Sequence, residues 1–356
     1  MIVFKKVIQE GVMNLNPLKD FAPYESKVET RWDPLTDLTS RIVHFPVRKI
    51  GPYNFDEAVR NSLKSPCPFC PENVEKMTAK FDKDRYGFER MERDGVVVIP
   101  NILPFDKYCL VAIISKEHFI DMDMLIKNRY LSRAVRVILD VLRVIKGFDK
   151  TVRYFSINCN YMPMSGSSLL HPHIQAIAGE FPTNHHGLLL RRSATFYAEH
   201  GACFWDELIN EEKKLNERYI GDDGRTFWHA PFAPKGNTDL SCIMGKSSIF
   251  DLDESDLSSF EEGFAAMLAY LKKDHISGFN FTIFSGIDGE DHFRSNMRII
   301  ARRFLPPVNA SDTNYFDRIH MENACLFFPE DVAREARLVW QEFVNGNSAA
   351  PLTGMA

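Results

Sequence analysis

The segment His171-Pro172-His173-Ile174-Gln175 carries two imidazoles and a carboxamide at alternate positions. Alternate residues of a strand point to the same face, so as a strand this segment sets His171, His173 and Gln175 side by side. It follows a small-residue loop, Ser165-Gly166-Ser167-Ser168, and opens the apolar run Ala176-Ile177-Ala178. The combination suits phosphate chemistry: one imidazole attacks phosphorus, an amide holds a phosphoryl oxygen, and a loop of hydroxyls and backbone N–H groups cradles the rest. The plain alternative is a polar strand edge that happens to hold two histidines.

A second constellation is Cys67-Pro68-Phe69-Cys70-Pro71. The cysteine spacing is that of a zinc knuckle, and zinc takes four ligands, so the pair needs partners. A redox pair is the rival, and two buried free thiols are the bland alternative. The redox reading suffers because no helix start is read directly after Cys70, where Pro71 stands. His118 follows an apolar run that ends at Ser115. A lone histidine there is ordinarily a surface or core residue. With Cys67, Cys70 and His171, however, it makes a Cys2His2 set suited to a closed structural zinc. Such a zinc would pin His171 and leave His173 to act as the nucleophile.

These residues need a scaffold. Val96–Ile99 and Cys109–Ser115 read as strands, and residues 122–146 as a helix with Leu125, Leu131, Val135, Ile138, Leu142 and Ile145 in one stripe. Val152–Cys159 and His171–Ala178 are further strands. The same order returns downstream as Leu240–Met244, a helix over Ser255–Lys272, Gly278–Phe284 and Asn296–Arg303. A repeat this long implies two copies of one strand–helix–strand–strand unit rather than a solenoid. Residues 1–65 look irregular. The segment 180–230 lies between the copies, with a charged helical stretch around Glu207–Arg218. The expected fold class is α+β, with two tandem lobes of mostly antiparallel sheet and packed helices. The first lobe covers 1–180, the second 181–344, and a flexible tail 345–356.

The bulk numbers set limits. The chain has 356 residues, 45% hydrophobic and 26% charged, which is soluble globular composition with ample length for a large core. A net charge of −5 and a pI of about 6.1 give no reason to expect nucleic acid or an anionic membrane as partner. No apolar run approaches the roughly 20 residues of a membrane span. The start, Met1-Ile2-Val3-Phe4-Lys5-Lys6, is soon broken by Gln9 and Glu10 and lacks a signal-peptide core. A cytoplasmic location is the expectation. There, seven cysteines, an odd number, read as reduced thiols.

Taken in order, the motifs resemble the galactose-1-phosphate uridylyltransferase family, a branch of the histidine-triad superfamily. Asp33-Pro34-Leu35-Thr36 with Pro46-Val47-Arg48 resembles its N-terminal strand and arginine-bearing turn. Cys67 to Asn73 resembles its zinc knuckle, Pro100-Asn101-Ile102-Leu103-Pro104-Phe105 its nucleotide-side loop, and Ser115 to His118 the segment with the third zinc ligand. Asn160, Gly166 and Ser168 precede the histidine strand as in the family, and Ala230-Pro231-Phe232-Ala233-Pro234 resembles the opening of its second lobe. The resemblance spans roughly residues 30 to 335. It implies that His173 takes a nucleoside monophosphate from a nucleotide sugar, with one structural Zn2+ on Cys67, Cys70, His118 and His171. Gln175 would hold the nucleotidyl phosphate and Ser168 the incoming or departing phosphate. Arg48, Asn101, Asn160, Gly166 and Ser167 would bind nucleotide or phosphate, and Glu322 the sugar. A homodimer is a further implication.

Gln175 bears on the reaction type. Hydrolytic members of the superfamily carry a third histidine there, whereas an amide is no acid or base at neutral pH. The expected activity is ping-pong nucleotidyl transfer to a sugar 1-phosphate or phosphate. The alternatives are an ADP-sugar or dinucleoside polyphosphate phosphorylase with the same residues, and, in another class, a nucleotide-binding protein without turnover. The second lobe departs from the family. It reads His292-Phe293-Arg294-Ser295-Asn296-Met297-Arg298 where a histidine-rich strand is usual, which speaks against a second metal; together with Phe328 near where the family uses a glutamine, and Met162 and Pro163 in the active loop where it has small residues, it speaks against galactose, or any hexose, as the sugar. Arg294 and Arg298 would then meet a sugar or phosphate, or form a solvated basic face. His185, His186, His229 and His275 have no spacing partner and read as surface or core.

Overall fold

A computed structural model describes residues 2–44 and 50–348. The chain opens with a long antiparallel hairpin, β1 (Lys6–Asn16) and β2 (Ala22–Trp32), followed by β3 (Thr39–Val43). The first 43 residues of the stretch expected to be irregular are thus largely sheet. Its apolar residues Val7, Ile8 and Val12 stay exposed, so no alternation toward a core betrays it. Three short helices follow: α1 (Asp56–Ser62), α2 (Pro71–Met77) and α3 (Lys83–Tyr86). The first repeat comprises β4 (Met91–Arg93), β5 (Val96–Pro100), β6 (Tyr108–Ile113), α4 (Met122–Asn128), α5 (Tyr130–Phe148), β7 (Tyr154–Tyr161) and β8 (His173–Gly179). The helical stripe read over 122–146 is broken at Arg129, which adopts a left-handed conformation (φ 52°) between α4 and α5.

A helical pair, α6 (Asn184–His200) and α7 (Phe204–Leu215), separates the repeats. The second repeat is β9 (Tyr219–Asp222), β10 (Thr226–His229), β11 (Asp239–Met244), α8 (Glu254–Lys273), β12 (Gly278–Phe284) and β13 (Asn296–Arg302). The chain closes with β14 (Phe304–Leu305), β15 (Ala310–Ser311), α9 (Tyr315–Arg318), β16 (Asn323–Cys325) and α10 (Pro329–Ser348). Part of the expected flexible tail is therefore the end of α10, and residues 349–356 lie outside the described residues.

The two repeats build one ten-stranded antiparallel sheet in the order β4-β5-β6-β8-β7-β12-β13-β11-β10-β9. Read from either end, the order gives equivalent strands, so an approximate twofold axis passes between β7 and β12. One cross-strand row displays the symmetry: Ile99, Val111, Gln175 and Asn158 meet Thr282, Arg298, Ser241 and His229. His173 opposite Ile113 likewise corresponds to Asn296 opposite Ile243.

One face of the sheet carries the main core beneath α4, α5, α8 and α10, with Leu131, Val135, Ile138, Leu142 and Ile145 of α5 all buried. Both repeats start their helices alike: Asp121 caps α4 through the Met124 N–H and Asp253 caps α8 through the Asp256 N–H. The other face bears the histidine strand. In the first half it is covered by Phe69 and Val74 around α2, in the second by α6 and α7. A separate sheet β1-β2-β3-β16 ties the two chain ends together. There Arg31, itself held almost out of solvent, meets the partly exposed Glu330 of α10 through two bonds of 2.7 and 3.1 Å. Among the described residues no helix is long and apolar enough to cross a membrane.

Candidate active site and metal centre

Cys67 and Cys70 sit in the turn that leads into α2, with Cys70 as its N-cap and Pro71 in the first turn. A helix does start directly after Cys70, contrary to the expectation from sequence, because proline's fixed φ suits the first helical position. The turn lies against the mouth of β8. The Cys70 Sγ is 3.3 Å from His118 Nδ1 and 3.7 Å from His171 Nδ1, which is also 3.8 Å from Cys67 Sγ. The four donor atoms lie within 4.8 Å of one another. The other nitrogens of both rings are engaged. His171 Nε2 is 3.0 Å from the Ser115 carbonyl and His118 Nε2 is 2.8 Å from the Ser62 hydroxyl, which fixes both rings with Nδ1 toward the thiols.

Left to the protein alone, burial and the neighbouring Cys67 push the Cys70 thiol up to about 12, and burial pushes His171 down to about 4. Four soft or borderline donors closing on one point, in a place that opposes protons and anions alike, fit a divalent cation of the zinc type. Cys67, Cys70, His118 and His171 would hold it and it would serve structure, tying the turn before α2 to the start of β8.

His173 is the first residue of β8 and is 8% exposed. Its Nδ1 lies 3.0 Å from the His171 carbonyl. A carbonyl only accepts, so Nδ1 carries the proton and the Nε2 lone pair is left free. The ring packs edgewise on Phe69, with centroids 5.2 Å apart, and burial holds its pKa below the ordinary value, so the imidazole is neutral near pH 7. Phe69 escaped the sequence reading. Its only signal was its place inside the cysteine knuckle.

Gln175 lies half-buried on the same face, between Val111 and Asn158, and its amide makes no hydrogen bond among the described residues. Continuing the β7–β8 register sets Asn160 opposite His173. The loop Met162–Ser168 then folds over the strand ends. Met162 is buried with φ 71° and ψ 160°, a region open almost only to glycine, and it is held there from several sides. Its carbonyl accepts the Ser165 N–H (3.0 Å) and hydroxyl (2.7 Å), and Asn280 donates to the Ser165 carbonyl (2.8 Å). Met164 fits the space left by the missing side chain of Gly278. Gly166 (φ 91°) and Ser168 are exposed, and the Ser168 hydroxyl makes no hydrogen bond among the described residues.

The remaining candidates divide. Asn160 is at the site, and its Oδ1 accepts from Asn280 at 2.6 Å. Asn280 in turn accepts from Arg302 at 2.9 Å, a connection through the twofold axis that a single-strand reading misses. Ser167 belongs to the loop, but its hydroxyl donates to the Leu169 carbonyl at 2.6 Å. Asn101 turns its side chain back onto the Leu103 N–H (3.1 Å) and stands at the level of Ile177, roughly 13 Å along the strand from His173. Glu322 is not brought to the loop. It accepts from Thr39 at 2.8 Å and pairs with Arg41 of β3. Arg48 lies outside the described residues.

The second half is built differently at the equivalent place. Asn296 and Arg298 stand where His173 and Gln175 do. Phe284 faces Asn296 as Asn160 faces His173. Arg298 is locked to Asp239 at 2.6 Å and Arg294 to Asp206 at 2.6 Å, so neither forms the solvated basic face considered above. Among the described residues the Cys2His2 group is the one cluster able to hold a metal.

No family model matches the chain. An uncharacterized protein of Archaeoglobus fulgidus is 33% identical over 318 residues, which is 89% of this chain and 94% of that protein. The chain belongs to that protein's family. Among solved structures, an ADP-glucose phosphorylase from Arabidopsis thaliana with bound ADP-glucose matches with a TM-score of 0.66 at 19% identity, covering 87% of this chain and 98% of its own. A uridylyltransferase matches with a TM-score of 0.63 at 17% identity, covering 88% and 98%. The α+β fold of the chain is that of these solved structures, the fold that the motifs led us to expect.

Proposed function

We propose that the protein is a nucleotidyltransferase that works through a nucleotidyl-His173 intermediate, with a nucleotide sugar as donor and a sugar 1-phosphate or phosphate as acceptor. The observation that carries this reading is the His173 ring itself. Its Nδ1 proton is committed to the His171 carbonyl, and its Nε2 makes no hydrogen bond among the described residues, on the face of β8 that also bears Gln175. In the first half-reaction the Nε2 lone pair forms a bond to the α-phosphorus while the bond from that phosphorus to the sugar phosphate oxygen breaks. In the second, an acceptor phosphate oxygen forms the new P–O bond and the P–N bond returns its electrons to the ring.

The leaving and entering groups are phosphates, already anionic at neutral pH, so no residue need remove a proton, and an amide at position 175 suffices. Gln175 would donate to a nonbridging oxygen and Ser168 to the phosphate that comes or goes. The structural metal would keep the start of β8 in register with the knuckle. A cytoplasmic setting and a homodimer are parts of the same proposal.

The test uses UDP-glucose and ADP-glucose labelled in the α-phosphate. The expected result is acid-labile, base-stable label on the protein, discharged by phosphate or by a hexose 1-phosphate. The preferred acceptor separates phosphorylase from transferase. Absence of label with both donors, in folded zinc-replete protein, would overturn the proposal.

A further inference from the structure

Beside His173 a row of polar side chains crosses the middle of the sheet. Asn160 of β7 stands between His173 of β8 and Asn280 of β12, its partner across the twofold axis. Side chains at opposed positions of antiparallel strands share a face. Arg302, on the neighbouring β13, lines one groove of about 550 Å³ together with Asn160, Gly166 and Asn280.

An amide can present either its oxygen or its nitrogen, so the direction of each bond in this row matters. A guanidinium only donates. Arg302 Nη1 lies 2.9 Å from Asn280 Oδ1, which fixes the oxygen end of Asn280. A carbonyl only accepts. The Ser165 carbonyl lies 2.8 Å from Asn280 Nδ2, which fixes the nitrogen end independently. The second hydrogen of that nitrogen goes to Asn160 Oδ1 at 2.6 Å. Arg302 is itself held, by Asp312 at 2.6 Å and by the Thr313 hydroxyl. The polarity therefore runs one way, from Arg302 through Asn280 to Asn160. Asn160 commits its oxygen to Asn280, and its Nδ2 makes no hydrogen bond among the described residues. The equivalent pair in the other half is Phe284 opposite Ser156, which carries no such relay.

We infer that Asn280 is a positioning residue: by engaging Asn160 Oδ1 it turns Asn160 Nδ2 toward β8, as a fixed donor to the nucleotidyl phosphate on His173. The inference rests on the nucleotidyltransferase reading above and deepens it. Charge that develops on the nonbridging oxygens is best met by donors already aimed at it, and an amide free to turn would offer its own oxygen as readily. The same Asn280 nitrogen clamps the Ser165 carbonyl, so one group sets both this donor and the loop that bears Ser168.

The experiment is a double-mutant cycle on Asn280→Asp and Asn160→Ala. Its readout is the single-turnover rate at which saturating UDP-glucose or ADP-glucose, labelled in the α-phosphate, labels the enzyme. A carboxylate at position 280 still accepts from Arg302 but has no proton to donate. Asn160 then turns its nitrogen to the carboxylate and its oxygen to the phosphate. We expect a rate at least about thirtyfold lower in the wild-type background, and at most about threefold lower in the Asn160→Ala background, where only the added charge remains. An equal fold-loss in the two backgrounds, as a merely structural role gives, would overturn the inference, and so would no loss at all. Both results leave the nucleotidyl-histidine reading intact. Should Asn280→Asp not fold, Asn280→Ala runs the same cycle, with an expected loss of at least about threefold that vanishes without Asn160. If the wild type takes no label from either donor, that reading fails, and calorimetric titration of the four proteins with AMP and UMP decides the inference. Binding weakened by Asn280→Asp only where Asn160 is present supports it. No binding, or equal weakening in both backgrounds, overturns it.

Discussion

The two halves of the sheet share strand order, helix placement and capping, yet the same face serves different ends. In the first half, Ile99, Val111 and Ile113 make an apolar bed, the cysteine knuckle presses Phe69 onto it, and His173 stands at the edge with Nε2 free. In the second, His229 and Ser241 replace two of those apolar residues, Asn296 and Arg298 replace His173 and Gln175, and α6 and α7 cover the face. The twofold axis thus supplies the same platform twice and the proposed nucleophile once. What separates the halves is side-chain type at a few equivalent positions and the cover laid over them. A nucleophile needs an open, preorganised edge, whereas Arg298 paired with Asp239 and Arg294 paired with Asp206 close theirs.

The largest expected difference is at the equivalent strand starts. His173→Ala should lower nucleotidyl transfer by at least about 1,000-fold, since it removes the proposed nucleophile, while Asn296→Ala should change it little. Steady-state assay of both variants checks this, and a comparable loss in the two would break the asymmetry. Next come the thiols. Cys67→Ser should release the metal and cost several kcal/mol of stability, because metal binding is coupled to folding. Cys242→Ser, in the buried core of β11, should keep the metal and cost only about 1–3 kcal/mol for a buried hydroxyl. Metal content and denaturant midpoints measured together separate the two cases.

A smaller effect sharpens the comparison at the loop. Met162 sits in a backbone region that costs a non-glycine residue about 1–3 kcal/mol. Met162→Ala and Met162→Gly both empty the same buried space, but only glycine removes the strain. The glycine variant should therefore be the more stable of the two by about 1 kcal/mol, the reverse of the usual order. It should also transfer more slowly than wild type, because the Ser165–Ser168 loop loses its fixed entry. Thermal unfolding and single-turnover kinetics are the measurements.

A further expected effect lies in pH dependence. Lys235 has a folded pKa lowered to about 7 against an unfolded value of 10.5, so between these values the unfolded chain binds the extra proton. Stability should rise with pH across that window, and Lys235→Met should flatten the slope there. A slope unchanged in the variant would show that the amine is not held in the neutral form.

Much of the site was legible because its chemistry needs particular atoms at short spacing. The cysteine pair and the alternate histidines are local, and donor type alone linked His118 and His171 to the pair. The inner strands of both repeats were legible by alternation, as in Gly278–Phe284, where Phe279, Phe281 and Ile283 are buried and Asn280 and Thr282 are half-exposed, whereas the short outer strands β4, β9 and β10 were not read. What stayed hidden depends on pairings far apart in the chain. The bond from Asn280 to Asn160 exists only because β12 lies beside β7. The ties that occupy Arg298, Arg294 and Glu322 come from Asp239, Asp206 and Arg41. The hairpin β1–β2 escaped because Glu10, Glu25 and Lys27 interrupt its apolar residues and its outer part buries little.

The central claim is that one histidine, on one half of a symmetric sheet, carries the nucleotidyl group. Its most direct test is to quench the protein with an excess of nucleotide sugar at mildly alkaline pH, digest it, and locate the adduct by mass spectrometry. The account predicts a nucleoside monophosphate on the peptide that contains His173 and none on the peptide that contains Asn296 and Arg298. An adduct on any other residue, or one that persists in His173→Ala, would contradict it.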